Sequence, residues 1–69
     1  MEKLEVKLSE NWIKKLQELP ETGMGYQLVD LTLINGKIFK YAIVLNCSIV
    51  ILEEKIDVSQ IEKIELSEL

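Results

Sequence analysis

The chain has no histidine and no arginine, one cysteine, one proline and three glycines in its 69 residues. Each shortage excludes something. Without histidine no side chain titrates of its own accord near neutral pH, so Cys47 lacks the base that would make it a nucleophile; a thiol in or beside a turn is the simpler reading. One cysteine forms no intrachain disulfide, and no zinc ligand set can be assembled. Without arginine there is no bidentate clamp for phosphate or carboxylate. No apolar run approaches the ~20 residues that span a bilayer. Residues 1–7 alternate charged with apolar side chains, unlike a signal peptide. The expectation is therefore a protein with no cofactor, no metal and no membrane, cytoplasmic by default, and not an enzyme.

What is present is charge and aliphatic bulk. Twelve acids outweigh eight lysines, giving a net charge of −4, and 48% of residues are hydrophobic. The lysines are scattered, and a nucleic-acid surface needs a clustered basic face, so nucleic acid is not the expected partner. A chain this short lies near the lower limit for a stable core and must rely on good packing or self-association.

The patterning predicts one small, mostly β (α+β) domain over residues 1–69. Alternation at Leu4, Val6 and Leu8 marks a strand over 3–8. Ser9 can cap a helix over 10–19, in which Trp12, Ile13, Leu16 and Leu19 share a face and Pro20 ends the run. That stripe is either core or a docking face, and core is the commoner outcome at this spacing. Residues 20–25 form a loop, followed by strands over 26–34, 37–45, 49–53 and 61–66. The last run has a spacing that also fits a helix.

Asn35-Gly36 between two strand-like runs predicts a two-residue type I′ turn. That turn sets Leu33 opposite Ile38, Leu31 opposite Lys40 and Val29 opposite Ala42 on one face. On the other it sets Ile34 opposite Lys37, Thr32 opposite Phe39, Asp30 opposite Tyr41 and Leu28 opposite Ile43. A second turn is either Asn46-Cys47, which puts Lys40 opposite Glu53, or Asn46-Cys47-Ser48, which puts Lys40 opposite Glu54. Apolar residues fall on both faces of these strands, so both faces are expected to be covered.

From Tyr26 onward the pattern resembles the small five-stranded barrels of the SH3-like and Sm-like type. The likeness rests on Val29-Asp-Leu-Thr-Leu-Ile-Asn-Gly-Lys37, Ile49-Val-Ile-Leu-Glu53 and Asp57-Val-Ser-Gln-Ile-Glu-Lys-Ile-Glu65, about two-thirds of the chain as pattern rather than motif. It implies a five-stranded barrel with one short N-terminal helix. The glycine that Sm-like proteins place early in the second strand is replaced by Lys40-Tyr41-Ala42. Their RNA-binding loops are replaced by Asn46-Cys47-Ser48 and Val58-Ser59-Gln60, so their RNA-binding residues have no counterparts here. Leu19-Pro-Glu-Thr-Gly-Met-Gly-Tyr-Gln27 is also similar to a phrase in small uncharacterised bacterial proteins, which implies no function.

The candidate interaction residues are Thr22, Gly23, Met24, Gly25, Tyr26, Asp30 and Tyr41. The loop 22–26 is either a binding loop or a joint between helix and sheet with Met24 as an apolar plug; a phosphate loop would need a helix behind it. Asp30 is a carboxylate amid Thr32, Phe39 and Tyr41, which the Tyr41 hydroxyl could satisfy. Glu53, Glu54 and Asp57 have neither the number nor the spacing of a calcium loop. The expected function is a non-enzymatic protein-interaction or assembly module that self-associates as a homo-oligomer or binds a protein partner. The alternative is a degenerate Sm-like nucleic-acid binder using Lys37, Lys40 and Lys55.

Overall fold

The computed structural model describes residues 3–68. Strand β1 (Leu4–Lys7) precedes helix α1 (Glu10–Gln17). Strands β2 (Tyr26–Leu33), β3 (Ile38–Leu45) and β4 (Ile49–Leu52) follow. A 3-10 turn over Val58–Gln60 leads into β5 (Ile61–Leu66). The five strands form one antiparallel sheet in the order β1-β4-β3-β2-β5. Strands β1 and β5 are its two edges, and no pairing joins them among the described residues, so the sheet is not closed into the expected barrel. Among the described residues no helix is long and apolar enough to cross a membrane.

One face of the sheet is the core. Val6, Val29, Leu31, Leu33, Ala42, Val44, Val50, Leu52, Ile61 and Ile64 are buried there with Leu8 and Leu16. Helix α1 lies against it through Leu16, with Trp12, Ile13 and Leu19 packed partly buried around it, so the apolar stripe of the helix is core. The helix ends at Gln17, two residues short of the expected 19. Ser9 occupies the N-cap position but makes no side-chain cap bond. The C-terminus is instead closed from the sheet. Gln27, 1% exposed on the core face of β2, donates from Nε2 to the carbonyls of Leu16 (3.0 Å), Leu19 (3.3 Å) and Pro20 (3.4 Å). Orphan carbonyls at a helix end need such partners when buried.

The β2–β3 hairpin keeps the expected register at its open end and departs from it near the turn. Leu28 pairs with Ile43 and Val29 with Ala42, as expected, but Leu31 pairs with Phe39 and Thr32 with Ile38, one place from the expected partners. The turn is not a two-residue type I′ turn, because of its two residues only Gly36 has positive φ, +94°. Gly36 N–H donates to Leu33 C=O (2.9 Å) and Leu33 N–H to Lys37 C=O (2.8 Å). This is a three-residue loop, Ile34-Asn35-Gly36, closed by a left-handed glycine. A bulge then restores the original register: Lys40 and Tyr41 together face Asp30, with Tyr41 at φ +57°.

The physical reason lies across the sheet. An unbroken ladder would set Lys40 opposite Leu31, which has no exposed surface. Burying an unpaired ammonium costs several kcal/mol, whereas one non-glycine residue in the left-handed region costs about 1–2 kcal/mol. The smaller distortion wins, and Phe39 packs against the core where Lys40 would have stood.

The second turn takes the three-residue form, with Leu45 opposite Ile49 and Ile43 opposite Ile51. Asn46 (φ +52°) and Cys47 (φ +59°) both adopt positive φ, and Ser48 N–H donates to Leu45 C=O (3.0 Å). Since β4 ends at Leu52, Lys40 gains no acidic partner across the ladder; Glu54 pairs with Lys37 instead. The last run is a strand. Its helix-like spacing arises because Glu62 is an extra residue between the pairs Leu33–Ile61 and Thr32–Lys63, which lets Ile61 and Ile64 both face the core.

Candidate interaction surface

The outward side chains of β2 are Tyr26, Leu28, Asp30 and Thr32, alternating with the buried Gln27, Val29, Leu31 and Leu33. Strand pairing extends this outward set sideways. Leu28, Ile43 and Ile51 stand abreast on β2, β3 and β4, and Tyr26, Leu45 and Ile49 form the next row. All six are only partly covered, Tyr26 and Leu45 remaining 37% exposed. Glu5 and Lys7 of β1 flank these rows on one side, and Lys63 and Glu65 of β5 flank Thr32 and Asp30 on the other. The second face thus carries a partly exposed patch of five aliphatic side chains and Tyr26, with Glu5 and Lys7 beside it on β1 and Lys63 and Glu65 beside the neighbouring Thr32 and Asp30. Of the two faces expected to be covered, the core face is covered within the chain, by helix α1.

The loop 22–26 borders this stripe. Tyr26 N–H donates to Gly23 C=O (3.3 Å) and Gly25 has φ +81°, so Met24-Gly25 form the centre of a turn that requires glycine at its second position. Thr22 and Gly23 N–H return to Tyr26 C=O (3.0 and 3.2 Å), and Thr22 Oγ1 accepts from Leu28 N–H (2.9 Å). Gly25 is held by the Glu21 carboxylate (3.1 Å) and, through its carbonyl, by Asn46 N–H (3.2 Å). A Cβ on Gly23 would run into the Tyr26 ring. Thr22, Gly23 and Gly25 therefore shape a bonded turn. Met24 is no plug: it stands 99% exposed at the tip.

Asp30 and Tyr41 share the outward face with Tyr26, but not through the expected contact. Asp30 Oδ1 accepts from the backbone N–H of Tyr41 (3.3 Å) and from Ser67 Oγ (2.7 Å). The carboxylate thus holds the bulge and ties the end of β5 to β2. The Tyr41 hydroxyl donates instead to Glu68 C=O (3.4 Å), so the side chain reaches from β3 across β2.

The lysines proposed for nucleic acid are not gathered. Lys37 and Lys40 line a groove beside β3, while Lys55 lines a separate one with Ile56 and Val58. Among the described residues no three histidine, cysteine or acidic side chains come together as a metal site. Sequence reasoning missed Gln27, whose sign was a polar residue on the apolar phase of a strand. Its Oε1 also accepts from Cys47 Sγ (3.5 Å), which places the thiol in a structural contact. No protein-family model, curated protein or solved structure matches the chain.

Proposed function

We propose that this chain is a non-enzymatic protein-interaction or assembly module that self-associates through the second face of its sheet. The observation that carries the reading is the partly exposed stripe of Tyr26, Leu28, Ile43, Leu45, Ile49 and Ile51. Aligned packing of two such faces makes a sandwich with the stripe as its interior. Each border carries both signs of charge, so two copies meet without a wall of like charge. The meander β2–β3–β4 with β5 returning beside β2 supports an SH3-like or Sm-like reading of the architecture.

Light scattering across a concentration series tests this. The expected result is a mass rising from 8.0 kDa towards twice that value. A constant monomer mass at high micromolar concentration overturns it.

A further inference from the structure

We propose that the free edge of β3 takes up an extended acidic peptide of another protein as an added strand. Strand β4 pairs with β3 only at Ile43, Val44 and Leu45, and its last residue, Leu52, falls opposite Ala42. Among the described residues, 38–41 therefore have no strand beside them on that side. The Leu33–Lys37 bond fixes the alternation, and by it the N–H and C=O of Ile38 point away from β2 into the gap. There the chain leaving β4 diverges and opens a groove of about 480 Å³. Up to the bulge at Lys40-Tyr41, residues 38–40 amount to about 10 Å of extended edge, room for a short strand to pair at Ile38. Ile38, 53% exposed, offers an apolar contact beside that edge.

The charges choose the occupant. Lys37 is engaged by Glu54, while Lys3 and Lys40, also lining the groove, have no ion-pair partner among the described residues. Glu53 is the one unengaged carboxylate there. On a chain of net charge −4 this is a local positive excess, which favours an acidic strand over a basic one. Main-chain bonds supply affinity and alternate side chains selectivity in such strand addition.

The proposal rests on the protein-interaction reading but not on self-association. The probe is a blocked pentapeptide alternating valine and glutamate, with its valine–lysine counterpart as control, followed through the amide NMR signals of the labelled protein. The glutamate peptide is expected to shift the Ile38 amide and slow its exchange. Lys3→Glu combined with Lys40→Glu is expected to weaken that binding at least tenfold and to let the lysine peptide bind. Equal binding of both peptides to the natural protein, or an Ile38 amide unmoved at millimolar peptide, overturns the proposal. Light scattering on the same samples separates the two readings: a shifted Ile38 amide in a strict monomer upholds the groove and removes self-association.

Discussion

Asp57 accepts from the Ser59 N–H (3.0 Å) and from the Ser59 hydroxyl (2.8 Å). These bonds, the backbone one foremost, hold its carboxyl below the ordinary value of 3.8. A depressed carboxyl contributes stability that is complete above its unfolded value and is lost as pH falls through the lower folded value. Asp57→Ala is thus expected to lower the urea midpoint near neutral pH and to lower it less at about pH 2.5, since there the natural residue has lost most of its advantage. Equal losses at both pH values would refute this. Tyr41 makes the opposite trade. Its φ of +57° costs about 1–2 kcal/mol for a residue with a Cβ, a cost set against keeping Lys40 out of the core. Both Tyr41→Ala and Tyr41→Gly lose the hydroxyl contact to Glu68, so their difference isolates the backbone. The glycine variant is expected to be the more stable by about 1 kcal/mol in urea unfolding, and equal midpoints would show that the bulge stores no strain.

Among the elements, period and turn residues carried the most information. The strict alternation of β2 and the spacing of Trp12, Ile13, Leu16 and Leu19 reported which side chains are buried, because one-sided burial imposes those periods. Five strands and one short helix were legible for that reason. The register near the turn was not, because Asn35-Gly36 is compatible with both a two-residue turn and a three-residue loop, and both fit the same chain length when a bulge follows. What separates them is Lys40, which the unbroken ladder places on the core face. The open sheet was also out of reach, since closure depends on how β1 and β5 lie in space rather than on any local pattern. Of the candidate site, Asp30 was expected opposite Tyr41, and the bulge sets Lys40 and Tyr41 together against it. The Asp30 contact was misread, because a backbone N–H turned outward by a bulge leaves no trace in side-chain pattern. Exchanging the two residues concerned, Phe39→Lys with Lys40→Phe, makes the unbroken ladder the one that buries the aromatic ring. Tyr41 is then expected to leave positive φ and Asn35-Gly36 to close as a two-residue turn, visible in the Tyr41 backbone coupling and in cross-strand contacts. A variant that retains positive φ at Tyr41 would show that burial of Lys40 does not set the register.

For the molecule as a whole, the proposed self-association rests on the second face. Ile43 lies at the centre of the stripe, between Leu28 and Ile51. Ile43→Lys is expected to weaken self-association by roughly thirty-fold or more, the ~2 kcal/mol of an interface hot spot, while leaving the monomer folded. An unchanged mass profile would place the contact elsewhere. The strand order has a consequence for the chain as it is made. Strands β2, β3 and β4 join through short turns and can pair as they emerge, but β1, made first, has no neighbour until β4 exists, and β5, made last, supplies Ile61 and Ile64 to the core. Pairings between segments distant in sequence form slowly because loop closure precedes their reward. Until residues 61–66 have been made, the side of β2 away from β3 has no strand beside it, so the core closes only when β5 is in place.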